Sequence, residues 1–414
     1  MRSAALACLL STLPQPVSAQ AVIPAPALMV REEGSFTLGP GTVIQALGAA
    51  RALGETLAGY LRPATGLPLP VRDTGPARDA LRLELSLDFG ERMRSPKDPS
   101  DARCPAEGYR LRVGPDGATV AASQPAGLFH GLQTLRQLLP SQVFRAAKVA
   151  GAAWTLPAVM IEDAPRFPWR GSHLDVGRHF LPMGFLKRHL DLMALHKLNV
   201  FHWHLTEDQG WRLELRRHPR LAQVGGWRRE TVLAEFARVD RPEQMRFDHT
   251  PHGGFYTQDD VREIVQYAAE RFITVVPEIE LPGHSTAALA AYPELGNGPD
   301  LGEPPPEVAT SWGVFTTVFN VEDATLAFLE DVYGFDPVPA GLSPAEAGHI
   351  LGAQGQLWTE FVDRPGRAEY QLWPRLAALA EAVWSSSRDF PAFRARLGEH
   401  LRRLEILGVA CHPY

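Results

Sequence analysis

The sequence predicts an α/β protein: a (β/α)8 barrel of TIM type that lacks about half its strands, preceded by a small α+β domain. Three observations carry this. At the connector Pro157–Pro168 the pattern changes from short alternating runs to strand–loop–helix units. Polar and aromatic residues cluster where those later strands end, which is where barrels of this type build their sites. Only four convincing strand units follow the connector, although the stretch is about the ~250 residues that a complete barrel takes.

Residues 1–19 read as an export signal. Arg2 supplies the positive start, Ala4–Leu13 a short apolar stretch, and Val17-Ser18-Ala19 a small-residue cleavage site before Gln20. The mature chain is therefore expected to be secreted or periplasmic. Residues 20–160 make the small domain. Leu81–Leu87 alternates with period two, and Tyr109–Val113 and Ala118–Ala122 flank the turn Gly114–Gly117 as a hairpin. Gly127–Leu139 carries Leu128, Leu132, Leu135 and Leu138 at helical spacing. The barrel region covers 165–410, with strands at Ser172–Val176, Asn199–Leu205, Ile273–Glu280 and Ile350–Trp358. A helix with Leu186, Leu190, Met193 and Ala194 follows the first strand. A second begins at Gln258, with Thr257 placed to cap it and Val261, Ile264, Val265, Ala268 and Phe272 at helical spacing. The last helix carries Phe393, Leu397, Leu401 and Leu404.

A chain of 414 residues, 45% apolar and 21% charged, can bury a core without a disulfide or metal staple. Lys plus Arg number 41 against 47 Asp plus Glu, a net charge of -6 with no basic block, which argues against a nucleic-acid partner. No run approaches the ~18 apolar residues of a membrane-spanning helix. Cys8 lies in the export signal; Cys104 and Cys411 remain, and nothing requires them to pair. The oligomeric state is left open.

The candidate site residues sit at strand ends. Asp175 closes the first strand and Arg178 follows it, where a guanidinium fork can grip vicinal hydroxyls or brace the barrel rim. His202 and His204 flank Trp203 and so share one face of the second strand. A metal site there would need a third ligand, so a buried polar network under a sugar pocket is preferred and no metal is expected. Glu207 and Asp208 stand at the rim. The Pro282-Gly283 turn returns His284 to the same mouth, in a structural or a site role. Trp358 offers its ring either to a pyranose or to a domain interface, and Glu360 can accept hydrogen bonds from hydroxyls.

In this order these stretches resemble glycoside hydrolase family 20, the β-N-acetylhexosaminidases. The matching segments are Arg170-Gly-Ser-His-Leu-Asp-Val-Gly-Arg-His-Phe, Lys197–Arg212, Val276–His284 and Gly355-Gln-Leu-Trp-Thr-Glu, together with the closing Trp373–Trp384. The resemblance covers nearly all of the mature chain. It implies removal of terminal N-acetylglucosamine or N-acetylgalactosamine from a glycan by substrate-assisted, retaining catalysis, with no cofactor. In that scheme Arg178 matches the arginine on the ring hydroxyls, and Glu207 the first of two acidic positions, often Asp in the family. Asp208 matches the second, His284 the supporting histidine, and Trp358 and Glu360 the aromatic wall and the hydroxyl acceptor. His202, His204 and Asp175 support them.

One family feature is missing. No His-x-Gly-Gly-Asp-Glu stretch ends a fourth strand. The nearest neighbours, Glu322-Asp323 and Glu330-Asp331, lie in a helical stretch, so no catalytic residue is assigned. Near 331–333 the sequence passes from what resembles the helix before the fourth strand to what resembles the approach to the last. The fourth to seventh units are expected to be missing, and with them the acid. The chain is then expected to be inactive on N-acetylhexosaminides and to fold poorly alone, or to hold a sugar without cleaving it. The natural glycan and its linkage are not legible.

Overall fold

The computed structural model describes residues 22–86, 105–233, 242–298, 305–320, 352–360, 362–385 and 390–411. The export signal, Cys104, both Glu-Asp neighbours and the 331–333 junction lie outside these residues.

The small domain is a seven-stranded mixed sheet with two helices packed on it. Its strands are β1 (Leu28–Thr37), β2 (Val43–Ala46), β3 (Val71–Arg72), β4 (Ala80–Leu85), β5 (Tyr109–Gly114), β6 (Gly117–Ala122) and β7 (Thr155–Asp163). Their spatial order is β1-β7-β5-β6-β4-β2-β3. The β5–β6 hairpin pairs Tyr109 with Ala122 and Gly114 with Gly117, in the register its alternation predicts. Helices α1 (Arg51–Thr65) and α2 (Pro125–Leu138) bury leucines at helical spacing: Leu53, Leu57 and Leu61 in the first, Leu128, Leu132, Leu135 and Leu138 in the second. The second helix lies hard against the hairpin. A Cβ at Gly131 would stand 2.3 Å from Val120 Cγ1, so the approach requires glycine.

The second unit is a four-stranded parallel sheet made of β8 (Trp169–Asp175), β9 (Val200–His204), β10 (Thr274–Glu278) and β11 (Gly352–Leu357), in the order β10-β9-β8-β11. Gly171–Asp175 pairs with Val200–His204, which pairs in turn with Thr274–Glu278. On the other side Gly352–Leu357 pairs with Trp169–Leu174. The last strand in sequence thus lies directly against the first, as strands one, two, three and eight do in a barrel wall. Among the described residues the sheet has free edges at β10 and β11, and no closed barrel.

Helices α3 (Met183–Leu195), α4 (Gln258–Ala269) and α5 (Thr286–Ala291) lie between these strands along the chain, and α6 (Pro365–Leu372), α7 (Arg375–Trp384) and α8 (Phe390–Ile406) follow β11. Helices α3 and α4 pack together, α4 contacts β10, and α7 covers β8 and β11. The period-two alternation of β9 sorts its side chains. Phe201 and Trp203 are buried toward the helix side, against His189 and Tyr256, while His202 and His204 face inward. No helix among the described residues is long and apolar enough to cross a membrane.

Buried charge joins the two units. Asp163, closing β7, accepts from Lys197 Nζ at 2.8 Å and from the Trp384 indole at 2.9 Å. Glu107 accepts from the Arg170 guanidinium, including an Nη1–Oε1 contact of 3.2 Å.

Candidate active site

Asp175 anchors the mouth. It is fully buried and accepts from the Arg178 amide at 3.1 Å and Arg178 Nη1 at 3.0 Å. It also accepts from the Thr359 amide at 3.1 Å, which ties the loop after β11 to the end of β8. Burial opposes its charge, but His204, Arg178 and the two amides hold its carboxyl below the ordinary range. Arg178 reaches on to Glu207 at 2.7 Å and Glu360 at 3.7 Å, and lies 5.2 Å from the centre of the Trp358 ring. Three carboxylates therefore fix the guanidinium fork, whose side chain stays 11% exposed.

Beyond β9 the chain makes a tight antiparallel bridge, Thr206–Glu207 against Gly210–Trp211. This buries Glu207 and Asp208 below the rim on which the sequence reading places them. Asp208 accepts from the Thr286 amide at 3.0 Å and its hydroxyl at 2.6 Å, at the start of α5. His284 takes a left-handed backbone, φ 49°, which brings its Nδ1 within 3.1 Å of both Asp208 and Glu207. Nearby, burial and the neighbouring Glu207 and Glu278 raise the Glu280 carboxyl against the opposing pull of His204.

Below this rim lies a floor of imidazoles. His173, two residues before Asp175 on the same face of β8, sits between His202 and Trp358, with ring centres 4.8 and 4.4 Å away. One oxygen of Glu278 lies 2.8 Å from His202 Nε2, 2.8 Å from His204 Nδ1 and 3.4 Å from His173 Nε2. Glu278 is thus the carboxylate partner that the three rings share. His204 also meets Glu207 at 3.2 Å. Burial would lower the His204 pKa, but Glu207 and Glu278 overcome it and push it up to about 10. His204 in turn holds Glu278 down to about 2. Burial drops His173 to about 4, leaving a neutral imidazole.

The structure thus brings Arg178, Glu207, Asp208, His284, Trp358 and Glu360 to one mouth, over Asp175, His202 and His204. Trp358 is 41% exposed above His173, in the site and not in a domain interface. Arg178 braces the rim through three carboxylates. The sequence reading passes over His173, although its phase with Asp175 is a usable signal. It likewise gives no site role to Thr286, whose contact with Asp208 spans 78 residues. Together these groups can hold a polyhydroxylated ring by charge-assisted hydrogen bonds and an aromatic face.

Residues 167–338 and 329–387 match the pattern described as "Glycosyl hydrolase family 20, catalytic domain", and residues 19–164 match "Glycosyl hydrolase family 20, domain 2". A beta-hexosaminidase of Porphyromonas gingivalis is 29% identical over 94% of this chain and 64% of its own length. A beta-N-acetylhexosaminidase of Cellulomonas fimi is 36% identical over 80% of this chain and 59% of its own. The chain thus spans under two thirds of these relatives. The first alignment runs to 526 positions, more than the 414 residues available, so over a hundred positions of that relative have no residue opposite them here. Among solved structures, the GH20 β-N-acetylhexosaminidase of Streptomyces coelicolor is 29% identical with a TM-score of 0.78, covering 97% of this chain and 99% of that one. The Streptomyces plicatus N-acetyl-β-hexosaminidase bound to thio-NAglucal is 30% identical with a TM-score of 0.77, covering 97% and 98%. Both domain patterns in sequence, and a fold shared along nearly its whole length, lead to one conclusion: the chain belongs to glycosyl hydrolase family 20.

Proposed function

We propose that this chain comes from an exo-β-N-acetylhexosaminidase that removes terminal N-acetyl-D-hexosamine from glycans, and that in its present form it grips the ring without hydrolysing the bond. The observation that carries this is the sheet order β10-β9-β8-β11, in which the last strand pairs with the first while no strand among the described residues pairs with the outer edge of the third. Substrate-assisted catalysis needs a carboxylic acid to protonate the departing oxygen and a carboxylate to orient the acetamido group that attacks the anomeric carbon. In this family those groups form an Asp-Glu pair ending the fourth strand. No Asp in the sequence is followed by Glu. The surplus of aligned positions in the P. gingivalis relative supports an internal loss. Arg178, Trp358 and Glu360 stand just beyond the ends of β8 and β11.

We propose further that residues 1–19 direct export; the domain 2 match beginning at residue 19 supports that boundary. N-terminal sequencing of the mature protein is expected to begin at Gln20.

The test of the main reading is release of 4-nitrophenol from 4-nitrophenyl N-acetyl-β-D-glucosaminide by the purified, folded chain. The expected result is no release above the uncatalysed rate. Turnover that disappears in Arg178→Ala would overturn the reading and place the acid among Glu207, Glu278, Glu280 and Glu360.

A further inference from the structure

We propose that Arg212 and Arg228 are positioning residues: from behind the mouth they hold the loop 176–180, so that Arg178 keeps its place toward a bound ring. This rests on the reading of Arg178 as a ring-gripping residue. Carboxylates align the side chain of Arg178, and guanidiniums align its backbone.

Beyond β8 the chain leaves the sheet, and its buried amides and carbonyls need partners from elsewhere. Three consecutive carbonyls accept from the two guanidiniums. Arg212 Nε donates to the Val176 carbonyl at 2.9 Å and Nη2 to the Gly177 carbonyl at 2.8 Å. Arg228 Nη1 donates to the Arg178 carbonyl at 2.6 Å. The amides find separate acceptors: Asp175 for Arg178, the Thr359 hydroxyl at 3.1 Å for His179, and His252 Nε2 at 3.0 Å for Phe180. Arg212, Arg228 and His252 all belong to the long connection between β9 and α4.

That connection meets the loop as one piece. A short antiparallel bridge pairs Trp227 with Gly253 and Arg228 with His252, which sets two of the contacts side by side. Arg212 Nη1 donates to the Gly226 and Gly254 carbonyls, at 2.6 and 3.1 Å, on either side of that bridge. Arg228 is braced in turn by the Thr231 hydroxyl at 2.9 Å and the Gln209 carbonyl at 3.2 Å. Gly210 gives the Arg212 fork its room, since a Cβ there would stand 2.2 Å from Arg212 Cζ.

Arg212 and Arg228 are 0% and 3% exposed, and neither forms an ion pair with a carboxylate among the described residues. A salt bridge is therefore not what keeps them inside. Burial lowers Arg212 to about 10 and Arg228 to about 9, still above neutral pH, so both donate as cations. Hydrogen bonds from an ionised donor are roughly twice as strong as neutral ones, and here they converge on one loop. Burial, Arg228 and Arg212 push His252 down to about 2, which keeps its Nε2 lone pair available to the Phe180 amide.

Hydrogen exchange of the full chain, read by mass spectrometry, tests the clamp. In Arg228→Met and in Arg212→Met the amides of 178–180 should exchange at least about tenfold faster, because each variant loses charge-assisted bonds to the loop. Strand β9 should exchange as in the wild type. Arg228→Lys, which can still donate to a carbonyl, should recover most of the protection. Unchanged exchange at 178–180 overturns the proposal. Equal acceleration of 178–180 and of β9 also overturns it, because that pattern is general loosening. Titration with N-acetyl-D-glucosamine gives a second readout: Arg228→Met should weaken binding about tenfold, and Arg228→Lys less than about threefold. Faster exchange with undiminished affinity would count against the proposal as well. A wild-type chain that binds no sugar contradicts the ring-gripping reading instead, and the exchange pattern then decides the clamp alone. If the methionine variants do not fold, Thr231→Val removes only the hydroxyl bonded to Arg228 Nε. It should give the same local pattern at about two- to threefold, and no change at 178–180 overturns the proposal.

Discussion

Asp163 accepts from Tyr109 Oη at 2.7 Å, Lys197 Nζ at 2.8 Å, the Trp384 indole at 2.9 Å and the Ala27 amide at 3.0 Å. Burial pulls the Lys197 pKa down and Asp163 pulls it back up, so the ammonium depends on this partner. Asp163→Ala would leave that charge buried and alone. We expect a loss of about 3–5 kcal/mol, seen as a lower urea midpoint at unchanged slope. Lys197 is legible in the sequence only as the start of a motif. Its partner belongs to the other domain, and no local pattern links the two. Buried histidines make a second prediction at this scale. Burial holds His179, His189 and His196 near pKa 4, against about 6.5 in an unfolded chain. The unfolded state therefore takes up protons first. Their contribution is complete above about pH 6.5 and is lost as pH falls toward 4. The melting temperature should drop steadily between those values, and a flat profile would show that these rings are not buried as described.

Helix α4 shows how far a local pattern reaches. The Thr257 side chain accepts from the Asp260 amide at 3.1 Å, and Asp260 accepts from the Thr257 amide at 2.8 Å, a complete capping box at the position the sequence marks. Thr257→Ala should cost about 1 kcal/mol, measured by chemical denaturation. The inward phase of His202 and His204 was legible for the same reason: period two acts within five residues. The convergence of His173 and Glu278 on those rings was not, because it depends on the lateral order of three strands. The burial of Glu207 was missed because the Thr206–Trp211 bridge is too short to leave a periodic signal. Trp358 likewise kept two readings until the pairing of β11 with β8 placed it above His173.

At the scale of the molecule, the proposed loss of strands rests on a count of strand units and an absent motif. A complete barrel has no edge strands. Here β10 and β11 each have one paired neighbour among the described residues, while β8 and β9 have two. An open parallel sheet is also slow to form and exposes its edges to other chains, so concentration-dependent association should accompany refolding. Light scattering that rises with protein concentration would register it. The most direct measurement on the central claim is amide hydrogen exchange along the four strands of the native chain. An open half barrel predicts strong protection for 170–175 and 200–204, with faster exchange for the alternate amides of 274–278 and 352–357 that face away from their single neighbour. Equal protection across all four strands would contradict the account, because it would mean that both edges are paired and the barrel is closed.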